Sequence, residues 1–299
     1  MEYVLRTDKL TKEYAGQRVV DEVTLNVERG TVYGFVGKNG AGKTTFIRMI
    51  SGLASPTSGS FELLSEKDIS AARRRTGSLI ESPALYSDMT ALENIRLLST
   101  ILGEDKRKAE DILKIVGLSD TGKKKARDFS LGMKQRLGIG MALVGDPEFL
   151  MLDEPINGLD PTGIVEIREL LLDLKNKQGK TIFISSHILG ELEKIATKYG
   201  IIAKGKLVEE LTAEELENKC GIRTVIKTNN PQKALGIVKS IKGIKNVEAK
   251  EDGSIVISDA AEDIGMITNE LFKNDIIVSG ISTSDNGAES YFIKKMEEG

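Results

Sequence analysis

The stretch Gly37-Lys38-Asn39-Gly40-Ala41-Gly42-Lys43-Thr44 constrains this chain more than any other. It follows the apolar run Thr31–Val36 and precedes a segment of helical periodicity that ends at Ser51-Gly52. A glycine-rich turn between a buried strand and a helix lets successive backbone N–H groups converge at the positive end of that helix. Such a turn binds phosphate, with a lysine reaching the terminal phosphates and an adjacent hydroxyl ligating Mg²⁺. Lys43 and Thr44 stand in those two places, and Gly37, Lys38, Asn39, Gly40, Ala41, Gly42, Lys43, Thr44 and Thr45 form the candidate phosphate-binding set. A strand that feeds such a loop implies an α/β fold built on a parallel sheet.

The apolar run Phe149–Leu152 ends in two acids, Asp153 and Glu154. Alone, this reads as readily as an acidic turn capping a strand. Beside a phosphate loop it supplies what the loop lacks. Asp153 would hold Mg²⁺ through water, and Glu154, on the other face of an extended backbone, would polarise an attacking water.

Counting narrows the alternatives. With 299 residues, two domains are expected, or one with an appendage. A net charge of −3 argues against a whole-chain basic nucleic-acid binder. One cysteine, Cys220, allows no intramolecular disulfide, and one histidine, His187, allows no His-rich metal site. No apolar run reaches the roughly 18 residues of a membrane span, and Met1–Leu10 has no apolar signal core, so a soluble cytoplasmic chain is expected.

The first third alternates as strands, Tyr3–Leu10 and Val19–Val27, with turns at Ala15-Gly16 and Arg29-Gly30. From about residue 85 to 145 the period is helical: one helix opens on the capping box Thr90–Glu93, a second spans Glu104–Val116, and a third follows Ser130. Strand and helix then alternate again, with Asp160-Pro161 opening a helix over Gly163–Lys177, a strand at Thr181–Ser185 and a helix from Ile188 to Lys198. After Cys220, short Val/Ile/Lys segments predict a β-α-β-β-α-β order, a small ferredoxin-like unit with strand Ser254–Ser258, turn Asp252-Gly253 and helix Glu262–Phe272.

One further run makes the reading specific. Asp128-Phe129-Ser130-Leu131-Gly132-Met133-Lys134-Gln135-Arg136, placed just before the acidic strand, resembles the signature of ATP-binding cassette (ABC) proteins. The resemblance covers Tyr3 to about Leu211 and contains the family's motifs in order. Tyr14 resembles the aromatic residue that stacks on adenine. Asn157-Gly158-Leu159-Asp160 resembles the D-loop, and His187 after Ile184-Ser185-Ser186 resembles the switch histidine. More narrowly, Thr76–Pro83, Phe129–Gly138 and Ile182–Leu189 resemble ATPase subunits of ABC exporters for bacitracin and lantibiotics. Glu81 stands where most members carry a glutamine, an exchange characteristic of that branch. It removes the amide donor and leaves only acceptors.

The resemblance implies a P-loop NTPase fold with an antiparallel β subdomain, a helical subdomain and a small α+β C-terminal domain. The expected boundaries are 1–217 for the cassette and 218–299 for the remainder. ATP and Mg²⁺ are the implied cofactors, with Thr44, Asp153 and Glu81 at the metal. Tyr14, Glu81, Ser130, Gly132 and Asp160 join the nucleotide site, and Glu154 and His187 are catalytic. Ser130 and Gly132, at a helix start, are placed to bind the phosphate of a second copy's ATP in a head-to-tail dimer, and Ser130 can be an ordinary N-cap as well. A separate integral membrane permease is the implied partner, with no nucleic acid, and the chain would sit on the inner face of the membrane. An exporter of another cargo, or a soluble non-transport ABC ATPase, remains open at this point.

Overall fold

The computed structural model describes residues 2–220, 223–241, 244, 247–250, 253–257, 264–284 and 288–298. The chain divides into two compact units, Met1–Ala213 with Lys294–Gly299, and Glu214–Ile293. The first opens with β1 (Tyr3–Tyr14), β2 (Gln17–Val23) and β3 (Asn26–Glu28). Ala15 and Gly16 both have positive φ, 49° and 83°, and form the two-residue turn whose twist matches the strands it joins. The single strand expected over Val19–Val27 is broken into two. Glu22 turns left-handed at φ 51°, and the Thr7 hydroxyl takes the Leu25 N–H at 3.0 Å.

β4 (Val32–Val36) is buried at every position, α1 (Lys43–Ser51) follows the glycine-rich loop, and β5 (Ser58–Leu63) returns to pair with β1. Together β2, β1, β3 and β5 make a four-stranded antiparallel sheet. Next come α2 (Ile69–Arg74) and β6 (Thr76–Leu79). Sequence periodicity does not foretell β5, because it is polar and mostly exposed, nor β6, because it is too short to show a pattern.

The helical insertion holds α3 (Ala91–Leu102), α4 (Ala109–Ile115) and α5 (Leu131–Ala142). α3 carries the expected capping box: Glu93 Oε2 accepts from Thr90 N–H at 2.6 Å, and Thr90 Oγ1 accepts from Glu93 N–H at 3.2 Å. The helix expected over Glu104–Val116 starts later, because Asp105 first caps a short 3₁₀ turn, Lys106–Lys108. The chain then runs through β7 (Phe149–Asp153), α6 (Pro161–Gln178), β8 (Thr181–Ser186), α7 (Leu189–Leu192), β9 (Lys198–Ala203) and β10 (Lys206–Thr212). A helix to Lys198 is cut to α7 because Thr197 N–H donates to the Val32 carbonyl at 2.8 Å and the chain rejoins the sheet.

The six strands of the main sheet run β10-β9-β4-β8-β7-β6, parallel except at the β10 edge. α1 packs Phe46 into a core that draws on both sheets, with Phe35, Phe46 and Phe183 centroids between 5.1 and 5.7 Å apart. Burying each such ring contributes roughly 1.5–3 kcal/mol. That core fixes α1 against β4, and with it the loop between them.

Beyond α8 (Ala213–Cys220), the second unit contains β11 (Arg223–Thr228), α9 (Pro231–Ser240), β12 (Val247–Ala249), β13 (Ser254–Ile257), α10 (Ile264–Lys273) and β14 (Val278–Ser284), and α11 (Ala288–Glu298) ends the chain. Its sheet, β12-β13-β11-β14, is antiparallel throughout, with Ile226, Ile255 and Ile257 packed against Ala234 and Val238 of α9 and Ile267 and Leu271 of α10. Asp252, Ser258 and Glu262, to which the predicted elements extend, lie outside the described residues. Cys220 is buried.

Candidate functional site

Because β4, β8 and β7 are neighbours, the segments leaving their carboxyl ends converge. In an open parallel sheet this edge is where ligands bind. Three segments far apart in sequence meet there: the glycine-rich loop after β4, Asp153-Glu154 at the end of β7, and Ser185-Ser186-His187 at the end of β8.

The loop is shaped by its glycines. Gly42, the N-cap of α1, has φ 106°, and a Cβ there would stand 2.5 Å from the Val19 carbonyl oxygen. Gly40 has φ 82° with open space around its Cα. Lys38, Asn39 and Gly40 are exposed, Gly37 and Ala41 buried, and Thr44 and Thr45 half-buried. Lys43 is folded inward, 5% exposed: Nζ donates to the Gly37 carbonyl at 2.6 Å and the Lys38 carbonyl at 3.3 Å. It also stands 3.1 Å from Glu154 Oε1, outside hydrogen-bond geometry, so that buried oxygen has charge beside it but no hydrogen-bond donor.

Asp153 is 1% exposed and has both oxygens committed. Oδ2 accepts from the Thr44 hydroxyl at 2.7 Å, and Oδ1 accepts from the Ser185 hydroxyl at 2.5 Å. Glu154 departs from expectation. Its backbone is left-handed at φ 50° and not extended, so the pleat does not aim its side chain. The turn brings Glu154 Oε2 to 2.8 Å from His187 Nδ1. A carboxylate only accepts, so Nδ1 carries the proton of that bond.

The other predicted residues lie on the surrounding elements. Tyr14 ends β1, 47% exposed, with Lys12 Nζ 4.8 Å from its ring centroid. Glu81, at φ 60°, accepts from Arg48 of α1 at 2.7 Å. Its carboxylate makes no hydrogen bond to Thr44 or Asp153, and among the described residues no three His, Cys, Asp or Glu side chains cluster as a metal site. Ser130 caps α5 by accepting from Met133 N–H at 3.3 Å, and Gly132 lies in the first turn. Asp160 caps α6 by accepting from Gly163 N–H at 3.2 Å. The signature and the D-loop are adjacent, since a Cβ on Gly158 would stand 3.3 Å from Leu131 Cδ2. The loop, Asp153, Glu154 and His187 are thus brought together, while Tyr14, Glu81, Ser130 and Asp160 form no hydrogen bond with them. Two residues of the site were not singled out from sequence. Ser185 was visible only as one serine in Ile184-Ser185-Ser186, and Arg48 as a helical cation.

A glycine loop that admits no side chain at Gly42, a buried lysine and a helix-start hydroxyl bonded to a strand-end carboxylate define a P-loop nucleoside triphosphatase, and Thr44 with Asp153 fits a magnesium ion. The family profile described as "ABC transporter" matches residues 20–157. A bacitracin transport ATP-binding protein, BcrA of Enterococcus faecalis, is 41% identical over 298 residues, covering 98% of this chain and 96% of the relative. A lantibiotic transport ATP-binding protein, SrtF of Streptococcus pyogenes, is 41% identical over 215 residues, covering 72% of this chain and 93% of the relative. A solved ATP-binding subunit of an ABC transporter matches at TM-score 0.64 and 29% identity, over 72% of this chain and 92% of that one. The chain belongs to the ATP-binding subunits of ABC transporters. It is an ATPase, and among its described residues no helix is long and apolar enough to cross a membrane.

Proposed function

We propose that this ATPase drives export of, or immunity to, a peptide antibiotic of the bacitracin or lantibiotic type through a separate membrane permease, from the inner face of the membrane. Similarity to the bacitracin relative along almost the whole chain supports this cargo. The site chemistry rests on one observation, the continuous contact from Lys43 through Glu154 to His187 beside the Thr44–Asp153 pair.

That arrangement supports the roles of the loop, Thr44, Asp153, Glu154 and His187, and the family resemblance supports those of Tyr14, Ser130, Gly132 and Asp160. Backbone N–H groups of Gly37 to Thr45 and the positive end of α1 hold the phosphates. Phosphate oxygens are better partners for Lys43 than a peptide carbonyl, so substrate draws the ammonium away from Glu154 Oε1. That oxygen, buried and without a hydrogen-bond donor, then accepts from the attacking water and aligns it. His187 fixes the opposite oxygen of Glu154 through Nδ1–H, and with a second proton on Nε2 the ring donates to the γ-phosphate. Thr44 and Asp153 would hold Mg²⁺, which neutralises charge on the phosphates when bound. Glu81 would join that site only after leaving Arg48. Tyr14 stacks on the adenine, worth about 1–3 kcal/mol by analogy with base–aromatic contacts. Ser130 and Gly132 face the ATP of a second copy in a head-to-tail dimer, and Asp160 links the two sites. Residues 1–217 act as the cassette and 218–299 as a ferredoxin-like packing domain.

Glu154→Gln is expected to trap an ATP-bound dimer with turnover reduced about 100-fold or more, measured by size-exclusion chromatography and phosphate release. Full hydrolysis by that variant would sink the role of Glu154. For the cargo, deletion of the gene is expected to raise sensitivity to bacitracin or lantibiotics; unchanged sensitivity to both counts against it.

A further inference from the structure

Ser185 has no part in the roles above, yet it touches both acids on which they depend. It lies at the end of β8, fully buried, directly across the parallel ladder from Asp153. Its hydroxyl donates to Asp153 Oδ1 at 2.5 Å and accepts from Glu154 N–H at 3.0 Å. The same N–H reaches the Ser185 carbonyl at 3.1 Å. One donor and one acceptor on a single oxygen are thus both spent on consecutive residues of the neighbouring strand.

We infer that Ser185 is a positioning residue for ATP hydrolysis, holding Asp153 and Glu154 in one geometry through a single hydroxyl. At Asp153 it anchors the oxygen opposite the one Thr44 uses, so the carboxylate cannot rotate away from the phosphate loop. At Glu154 it holds the N–H of a residue in the left-handed region, which a side chain with a Cβ adopts at a cost. That turn carries the Glu154 carboxylate to His187 and Lys43. Loss of the hydroxyl leaves Asp153 Oδ1 buried without a donor and Glu154 N–H with only the strand carbonyl. Both acids are then free to shift together. Threonine keeps the hydroxyl that this position uses. Alanine keeps the Cβ but lacks the hydroxyl, so it does neither job.

The inference rests on the assignment of Asp153 and Glu154 to hydrolysis, so its test includes Glu154→Gln as a reference. In the full chain, Ser185→Ala and Ser185→Thr are compared with the parent in steady-state ATP hydrolysis. Their thermal unfolding is followed in ATP with EDTA and in ATP with Mg²⁺. Ser185→Ala is expected to lower kcat about 10- to 100-fold, the usual effect of removing a group that orients a ligand-holding residue. KM for ATP should stay within about threefold. The stabilisation by ATP in EDTA should persist, while the added increment from Mg²⁺ should shrink. Ser185→Thr should restore both kcat and that increment. A Ser185→Ala kcat within about twofold of the parent overturns the inference, as does a loss that Ser185→Thr fails to reverse. Loss of the ATP shift in EDTA also overturns it, because the serine then supports the fold and not the acids. An inactive Glu154→Gln beside a normal Ser185→Ala sinks only the role of Ser185. An active Glu154→Gln sinks the underlying assignment itself.

Discussion

Glu154 sits between a cation and an imidazole, Lys43 on one oxygen and His187 on the other. Removing the ring frees the second oxygen and leaves the carboxylate to follow Lys43. His187→Ala is therefore expected to lower kcat about 10²- to 10⁴-fold while ATP binding survives, checked by steady-state kinetics and equilibrium nucleotide binding. Glu81 behaves differently. Its pair with Arg48 is well exposed on both sides, so Glu81→Gln should change unfolding free energy by no more than about 1 kcal/mol in urea denaturation. Lys43, Thr44 and Asp153 were legible in the sequence because their residue types and spacing carry the chemistry, and His187 through the family resemblance. Ser185 was not, because a buried serine has meaning only through the strand beside it. Nor was the left-handed turn at Glu154, since nothing in Leu152-Asp153-Glu154-Pro155 marks it.

Local signals identify some elements and miss others for a physical reason. The capping box of α3 is complete in the chain itself, and the structure reproduces both of its bonds. Thr90→Ala should cost about 1 kcal/mol of stability by urea unfolding. β5, by contrast, is a strand because β1 offers it partners, and its own exposed polar residues announce nothing. Glu148, just ahead of β7, joins segments that no periodicity connects. It accepts from Arg29 at 2.6 Å and from Arg75 Nε at 2.6 Å. The Arg29 hydrogen bond, opposed by partial burial and aided by Arg75, holds its carboxyl below the ordinary glutamate value. A depressed folded value means the contribution is present above the unfolded-state value and lost as pH falls through the folded one. Glu148→Gln should therefore lower stability at neutral pH and flatten the acid-side decline, as read from unfolding midpoints across pH.

Among the described residues, one core lies beneath the phosphate loop and another within the C-terminal sheet. Ligand binding stabilises only what it binds, so Mg²⁺ and ATP at 100 times Kd should add about 2.7 kcal/mol to the cassette. In calorimetry this appears as a rise in one transition while the other, from the C-terminal unit, stays in place. A uniform rise of both would mean that the two cores unfold as one. The phosphate loop, the acidic strand end and the signature helix were determined by the sequence, because each is written in neighbouring residues and local period, and the family by the resemblance of its motifs in order. The order β4-β8-β7, the folding of Lys43 onto Glu154, and the seat of Ser185 between two acids were decided by tertiary structure. Pairing between strands more than a hundred residues apart follows from which apolar surfaces close on one another, and no stretch of chain contains that information alone.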